Sequence, residues 1–436
     1  MAILAPEAPP TALPRTRPAR PGRDVLSATV AGTVSLLPIL QPAGPGNTAA
    51  ADLGILGSIL LAVLWVTTAR LPVRFPYMLG VTGLILGGTV AALVSGVPIS
   101  VALVFLQDLL LLLWAATLAL GRHDPRLVHV ATTAWCRTAC VYAVVGVAAY
   151  LIGFSPISGV TAADGVRASY TFGDPNLAGN YLVVSLFMIA ACKRPRSSGV
   201  RFLGYVAVLT AMGFTGSNGA MLTLLIGLVL AFVISRYRRR GLLAGVLALT
   251  ATTLVAAVLV VFVMPRVDLS TLREQAAGSV PLLRDSFGRS GNSSGERATI
   301  VTEGYKLYLQ GNATGYGPAR TKFELQGTQA PYVKEAHNDY LATMLERGLI
   351  GMIGLLLLWV AIGVRCVRLL VGDLPPPYAD IVPRAWLLVV IAPVMAVAAG
   401  FYEVLHFRHM WTWLGIVAAL VLAMQDAHSN EKRRTR

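Results

Sequence analysis

The sequence has little charge for its length. Only 13% of its 436 residues are Asp, Glu, Lys or Arg, whereas a soluble domain carries about a quarter. Hydrophobic residues make up 55% of the chain, and the mean hydropathy is +0.66. Apolar runs of about 20 residues recur along most of the chain, and each can cross a hydrocarbon core of about 30 Å. Because lipid offers the backbone no hydrogen-bond partner, the runs are predicted to be helices.

Cysteine is also scarce. The chain has only four, which are Cys136, Cys140, Cys192 and Cys366. None lies in a predicted external segment, so no structural disulfide is expected. No group of residues has metal-ligand spacing, and neither a metal nor a cofactor is expected.

The net charge of +15 raises the question of nucleic acid. The sequence contains no zinc-finger spacing, no RNA-binding motif and no basic helix outside the apolar context. Basic loops on the cytoplasmic side of a membrane account for the charge better. Nucleic acid is therefore excluded as a partner.

The predicted fold is all-α, a polytopic membrane protein of about twelve transmembrane helices with one large external loop. The candidate spans are residues 25–40, 51–69, 76–95, 99–120, 127–153, 176–192, 202–215, 219–235, 241–264, 345–370, 385–402 and 408–425.

The positive-inside rule tests this division independently. If the N-terminus is cytoplasmic, every inner loop and tail is basic, for example at 193–201 and 236–240. The short opposite turns, 41–50, 96–98, 216–218 and 403–407, contain no Lys or Arg. Both termini are therefore predicted to be cytoplasmic.

The remaining segments complete the predicted organisation. Residues 1–24 are a disordered cytoplasmic tail rich in Pro and Arg, and 426–436 are a basic cytoplasmic tail. Spans 25–264 enclose an external loop at 154–175, residues 265–344 form a large external loop domain, and spans 345–425 follow. Long connections of this kind are usually functional. Within the large loop, residues 296–310 have helical spacing, and 335–344 are predicted to be a helix that continues into the tenth span.

The loop at 154–175 contains one cation, Arg167, and ends in Asp174, Pro175 and Asn176. Asp174 is predicted to cap the following helix, with Pro175 at its first position. Arg167 is either an exposed loop residue or an anion ligand. A guanidinium group can bind phosphate in bidentate fashion, with two N–H groups donating to two oxygens. A helix N-terminus nearby would favour the second reading.

The large loop ends in a second polar group, Ala-His-Asn-Asp-Tyr-Leu at 336–341, which runs into Glu346. On one helix His337, Leu341, Met344 and Gly348 would share a face, and glycines at 348, 351 and 354 would allow a close helix contact. His337 is either a packing residue or a general base. Three of the nine Lys and Arg residues of this loop, Arg297, Arg320 and Lys322, either neutralise an anionic substrate or are solvated.

Two charges fall at mid-depth of the fourth and fifth spans. Asp108 and Arg137 are predicted to pair with each other or to line a polar cavity, because an unpaired charge in lipid is costly. A structural role is favoured over a catalytic one.

The polar motifs, in this order and on this topology, resemble those of the O-antigen ligase and polymerase superfamily. The resemblance covers about residues 160–425, and His337-Asn338-Asp339-Tyr340-Leu341 is its most specific part. The other matches are Arg167 with YTFGDPN at 170–176 and Ala178, the turn at 215–217, Arg297, Gly315-Tyr316-Gly317-Pro318, Glu346, Gly348, Gly351, and Arg408, Trp411 and Trp413.

The resemblance implies an inverting glycosyltransferase that uses no metal and no nucleotide sugar. It would move a glycan from undecaprenyl diphosphate to an acceptor hydroxyl on a glycan, lipid or protein, at the external face of the membrane. His337 would be the general base, whose ordinary pKa near 6.5 suits that task. Arg167 and Arg297 would bind the diphosphate, and Asn176, Asn338, Tyr340 and Glu346 would support the site.

In one position the chain departs from the family. Relatives often carry an arginine after the serine of the short turn, where this chain has Asn218. Arg320 or Lys322 would then take over the contact of that arginine with phosphate.

The alternative function, from another class, is a twelve-helix transporter or flippase of lipid-linked glycans. Such proteins usually have repeated halves with polar sites at the midplane. This chain shows no repeat, and only Asp108 and Arg137 favour that alternative. Ligase, polymerase and protein glycosylation all stay open.

Overall fold

The computed structural model describes residues 21–41, 48–96, 98–161, 166–259, 261, 290–310, 313–326, 328 and 338–434. Helices dominate these residues and no strand occurs among them, which confirms the all-α prediction. The helices are α1 Pro21–Leu36, α2 Ala50–Ala69, α3 Met78–Val94, α4 Pro98–Ala119, α5 Pro125–Leu151, α6 Ser155–Ser158, α7 Pro175–Cys192, α8 Ser198–Thr215, α9 Asn218–Arg240, α10 Leu242–Val258, α11 Ser290–Leu309, α12 Thr321–Leu325, α13 Asp339–Val371, α14 Pro376–Ile381, α15 Trp386–Ala398 and α16 Arg408–Arg434.

Eight of the described helices are long and apolar enough to cross a membrane. They are α2, α4, α5, α7, α8, α9, α13 and α16, and the shorter helices α3, α10 and α15 are also apolar. This confirms a polytopic membrane protein, while the number of twelve spans stays a prediction.

The helix ends add detail to the predicted segments. Helix α1 already begins at Pro21, inside the predicted tail, whose residues 1–20 lie outside the described part. In the large loop, the stretch with helical spacing belongs to α11. Helix α13 begins at Asp339, before the predicted span, and residues 335–337 lie outside the described part.

Helices α7 and α16 form the centre of the bundle. Most of each is buried, whereas only 28% of the apolar window of α2 and 17% of that of α9 are buried. The difference fits a protein in lipid, where outward-facing leucines need no cover. Polar groups inside need partners, and the four indole N–H groups of the central tryptophans have them: Trp114 donates to Thr412, Trp135 to Ser185, Trp411 to the Leu405 carbonyl and Trp413 to the Leu388 carbonyl.

Glycines bring α3 and α13 into close contact. A Cβ added to Gly83 would lie 2.6 Å from the Gly354 Cα, and one added to Gly80 would lie 2.6 Å from the Leu358 Cα. These separations are too short for any side chain, so the two backbones touch. Gly351 and Gly354 of α13 therefore serve helix packing, as predicted, and their partner is α3.

Two ends of the bundle carry different groups. At one end, which we call the Arg167 end, α7, α9, α13 and α16 begin. At the opposite end, the basic end, the same helices finish: Arg238 near the end of α9 donates to the carbonyl of Leu370 in the last turn of α13, and the Arg384 N–H before α15 donates to the carbonyl of Ala191 in the last turn of α7.

We predict that Gly354→Ala destabilises the protein, because its Cβ would lie 2.6 Å from the Gly83 carbonyl carbon. Overpacking of this kind costs about 1–3 kcal/mol. Gly363→Ala is the matched control on the same helix, since a Cβ there meets nothing within 4 Å. Thermal unfolding in detergent measures both. Equal midpoints for the two variants would contradict the backbone contact.

Candidate functional site

Asp174 caps helix α7 at the Arg167 end of the bundle. Its Oδ1 accepts from the N–H of Asn176 at 2.6 Å and from the N–H of Leu177 at 3.0 Å. Pro175 occupies the first helical position. Both features are those that the sequence predicts. The cap fixes the first turn of α7, from which the Asn176 side chain projects.

Arg167 is bound to this first turn and to the neighbouring helix. Its Nε donates to the Thr215 carbonyl at 2.8 Å and its Nη2 donates to Asn176 Oδ1 at 3.0 Å. Thr215 is the last residue of α8. Two bonds from one planar guanidinium fix its orientation. Both acceptors are neutral oxygens, so neither compensates the positive charge.

Asn176 connects Arg167 to two further residues. Ser217 Oγ donates to the same Asn176 Oδ1 at 3.0 Å and lies 3.2 Å from the Tyr402 hydroxyl. Ser217 is also the N-cap of α9, where its Oγ accepts from the Ala220 N–H at 3.2 Å. We call Arg167, Asn176, Ser217 and Tyr402 the Arg167 network.

The network depends on a glycine. A Cβ added to Gly219 would collide with the Tyr402 hydroxyl. Only a residue without a side chain lets the phenol approach the start of α9. The short turn at 215–217 thus has two uses, since it separates α8 from α9 and also holds Ser217 between Asn176 and Tyr402.

The start of α13 is anchored to the segment that carries Tyr402. Asn338 Oδ1 caps the helix by accepting from the N–H groups of Tyr340 at 2.9 Å and Leu341 at 3.1 Å. The buried Asp339 carboxylate accepts from the N–H groups of Val404 at 2.7 Å and Leu405 at 3.2 Å.

Two further bonds hold the same segment. The N–H of Asp339 donates to the Ala399 carbonyl at 2.8 Å, and the Tyr340 hydroxyl donates to the Ala396 carbonyl at 2.9 Å. Residues 396–405 are therefore bound to α13 along most of their length. The first turn of α13 and the Arg167 network share this segment through Tyr402.

The structure brings several of the predicted site residues together and leaves others undetermined. Arg167 donates a hydrogen bond to Asn176. The hydroxyl of Tyr340, two residues after Asn338, donates to the carbonyl of Ala396, in the segment that also carries Tyr402. His337 lies outside the described residues. Arg297 is on α11 and Lys322 on α12, and the side chains of both also lie outside the described part.

Helix α13 is broken at Gly348, which has φ 60° and ψ −161°. The prediction that Gly348 continues the helix face of Leu341 and Met344 is therefore wrong, while the place of His337 on that face lies outside the described residues. The loop at 313–317 fills the break: the N–H of Tyr316 donates to the Leu345 carbonyl at 2.7 Å, that of Gly317 to the Glu346 carbonyl at 3.1 Å, and that of Leu349 to the Ala313 carbonyl at 2.8 Å. The loop replaces the hydrogen bonds that the helix gives up.

Glu346 and Arg320 lie beside this break. Glu346 Oε1 accepts from the Thr321 hydroxyl at 2.8 Å and from its N–H at 3.3 Å. Arg320 donates to Glu324 at 2.9 Å, so a carboxylate offsets its charge. Burial raises the pKa of Tyr316, and the charge of Glu324 adds to that effect. Its hydroxyl stays a neutral donor to the Leu307 carbonyl at 3.2 Å.

The predicted pairing of Asp108 with Arg137 is wrong. Both oxygens of Asp108 accept from the guanidinium of Arg347 on α13, and both side chains are buried. Arg137 is exposed on α5. Asp108 and Arg347 lie about two and a half turns from the starts of α4 and α13 at the Arg167 end, so they meet at the same depth.

Several contacts of this region were missed or misjudged from sequence alone. Tyr402 gave no signal, because a hydroxyl in an apolar chain is common. Ser217 belongs to the turn that the family resemblance includes, but its bonds to Asn176 and Tyr402 were not predicted. Arg347 did give a signal, since a cation next to an apolar run requires an acid at the same depth. Arg408 is held in the same way by two bonds to Asp52 on α2, and opposite charges at equivalent depths were the available signal.

The fold and site define a class of protein: a polytopic membrane protein with a polar, cationic site at one end of its helices. Residues 203–356 match the family model described as O-antigen ligase. This match covers about a third of the chain, from α8 to the first half of α13, and confirms the resemblance to the O-antigen ligase and polymerase superfamily. It indicates a membrane enzyme of glycosyltransferase type. No curated protein matches the chain significantly.

The buried ion pair gives a test of the structure. We predict that Arg347→Met costs about 3–5 kcal/mol of stability, because it leaves Asp108 buried without a countercharge. The double variant with Asp108→Leu should recover most of that loss. Arg137→Met removes the same charge from an exposed position and should change stability little. The stability of all three variants is measured by unfolding them in detergent while the loss of helicity is monitored. A large loss with Arg137→Met and none with Arg347→Met would restore the rejected pairing.

Proposed function

We propose that this protein transfers a glycan from undecaprenyl diphosphate to an acceptor hydroxyl and inverts the anomeric centre. The observation that carries the proposal is the Arg167 network. It holds a cation against the first turn of α7 and the last carbonyl of α8. Through Tyr402 it connects this cation to the segment that anchors the start of α13. His337 is the residue next to Asn338 in the chain.

Arg167 is the proposed diphosphate ligand. Its contacts with the Thr215 carbonyl and with Asn176 Oδ1 orient the guanidinium. Asn176 belongs to the first turn of α7, and a helix N-terminus adds positive potential. A preorganised cation stabilises the charge that develops on the leaving diphosphate, and it needs no rearrangement during the reaction.

His337 is the proposed general base. His337 directly precedes Asn338, the N-cap of α13, in the chain. Neutral imidazole takes the proton from the acceptor hydroxyl, and the alcohol oxygen attacks the anomeric carbon. The bond from that carbon to the diphosphate oxygen breaks, and undecaprenyl diphosphate leaves. The imidazolium then releases its proton to water.

The other basic residues near the site are assigned different roles in this proposal. Arg297 joins Arg167 as a diphosphate ligand, as the family resemblance implies. Glu324 offsets the charge of Arg320, which favours Arg167 over Arg320 for this task. Lys322 is the candidate to replace the arginine that relatives carry at position 218. Asn176 and Tyr340 position the site rather than react.

The Arg167 end is proposed to face the periplasm or cell exterior, in the bacterial inner (plasma) membrane. The basic end carries Arg238, Arg239 and Arg240 at the end of α9, as expected for a cytoplasmic surface. Both termini would then be cytoplasmic.

The base assignment predicts that His337→Ala slows transfer by about 100- to 10,000-fold, the usual contribution of a general base. Purified protein is assayed for turnover with undecaprenyl-diphosphate glycan and candidate acceptors. His428→Ala is the matched control, because His428 is exposed on α16 towards the basic end. Equal rates for wild type and His337→Ala would exclude His337 as the base. Movement of lipid-linked glycan across vesicles without any transfer would favour the flippase instead.

The diphosphate assignment predicts a different pattern for Arg167. A lost charge-assisted hydrogen bond costs about 1.5–3 kcal/mol, so Arg167→Gln should lower turnover about 10- to 100-fold. Arg167→Lys keeps the charge but loses the planar contacts and should be intermediate. The same assay measures both variants. Wild-type turnover by Arg167→Gln would remove Arg167 from the site.

The orientation predicts the labelling of two matched cysteines. Ser155→Cys is exposed in α6 at the Arg167 end, and Ser197→Cys is exposed before α8 at the basic end. In a background with the four native cysteines replaced, an impermeant thiol reagent added to whole cells (with the outer membrane permeabilised where one is present) should label position 155 and spare 197. The reverse pattern would invert the topology.

A further inference from the structure

A cavity of about 490 Å³ opens at the basic end, between the end of α9 and the start of α15. It lies at the opposite end of these helices from the Arg167 network. Its lining combines cationic, apolar and hydroxyl side chains, which are Ala231, Phe232, Ser235, Arg238, Arg239, Arg384, Trp386 and Leu387. No acidic residue belongs to this lining.

Three arginines give the cavity its charge. Arg239 and Arg384 form no ion pair with a carboxylate in the described part of the chain. Arg238 donates through Nη1 to the Leu370 carbonyl at 2.9 Å, a neutral acceptor that orients the side chain without compensating it. The backbone before α15 is also held, because the Arg384 N–H donates to the Ala191 carbonyl at 3.0 Å. The cavity thus concentrates positive charge on two anchored elements.

The cavity continues into the apolar surface of α9. Leu225, Leu228 and Phe232 lie on one face of this helix at helical spacing and are 60%, 54% and 44% exposed. Phe232 is also part of the cavity wall, and the guanidinium of Arg236 stacks 4.9 Å from its ring centroid. Trp386, half-buried on the other side, is a side chain typical of the membrane interface. An amphipathic molecule could occupy both the cavity and this face.

We propose that the cavity binds an anionic phospholipid. Its phosphodiester lies among Arg238, Arg239 and Arg384, where guanidinium groups donate to phosphate oxygens. Its acyl chain follows Phe232, Leu228 and Leu225 along α9. Basic pockets between transmembrane helices bind anionic headgroups for this reason. A soluble phosphate would satisfy the arginines but would leave the apolar wall unused, so the lipid is favoured.

The test compares two double variants that lose the same charge at the same end. Arg239→Gln with Arg384→Gln removes two cavity arginines, and Arg126→Gln with Arg196→Gln removes two exposed arginines outside the lining. The full-length proteins are titrated with phosphatidylglycerol in mixed micelles and the bound lipid is counted by native mass spectrometry. Phosphatidylcholine and inorganic phosphate serve as separate probes.

The expected result is about 30-fold weaker phosphatidylglycerol binding for the cavity variant, from about fivefold for each cation near the membrane surface. The control variant should keep the affinity of the wild type. Arg239→Lys with Arg384→Lys, which keeps the charge, should bind between the two and also serves if the glutamine variant does not fold.

Three outcomes would overturn the proposal. Equal losses in the cavity and control variants would mean a general attraction to the basic end. Equal affinities for phosphatidylcholine and phosphatidylglycerol would mean that the arginines do not discriminate between zwitterionic and anionic headgroups. Displacement of the lipid by an equal concentration of inorganic phosphate would assign the cavity to a soluble anion.

Discussion

Polar groups inside a bilayer have no water to bind, so the protein itself must supply a partner for each of them. In this structure, that requirement explains the main departures from simple apolar helices. Asp108 and Arg347 satisfy each other between α4 and α13. The break at Gly348 releases backbone groups of α13, and the loop at 313–317 binds them. Four buried tryptophans each direct their N–H to an oxygen.

The same requirement organises the candidate site. The start of a helix leaves N–H groups without partners, and here side chains cap the starts of α7, α9 and α13. Ser217 caps α9 and also binds Asn176, which in turn binds Arg167. Capping and cation positioning therefore use the same residues. A substitution in this group would affect both the helix ends and the proposed anion site.

The two ends of the bundle hold their cations differently. At the Arg167 end, Arg408 and Arg320 are bound to carboxylates, while Arg167 is held by neutral oxygens. At the basic end, the arginines of the cavity face an apolar wall with no acid among the lining residues. A cation that neighbouring groups orient can bind an anion. Each end of the bundle has an oriented cation, and the two are separated by the length of the central helices.

The sequence by itself determined the helices and the capping residues. Low charge and long apolar runs require helices in lipid. Except for α13, the observed helices begin close to the predicted starts, because Pro, Asp and Gly mark local boundaries. Capping by Asp174 depends only on neighbouring residues, so it too was readable. The family resemblance, carried by short motifs, is confirmed over residues 203–356.

Only the tertiary structure decided which distant residues meet. Asp108 was assigned to the adjacent span, but its partner lies 239 positions further along the chain, because α13 packs near α4 and α5 presents Arg137 outward. Gly348 looked like part of a helix face until the loop at 313–317 was seen to occupy the break. Ser217 and Tyr402, 185 positions apart, join the network because Gly219 lets two backbone segments approach. Helix formation is a local property of the chain, whereas these pairings depend on which helices are neighbours in the folded bundle.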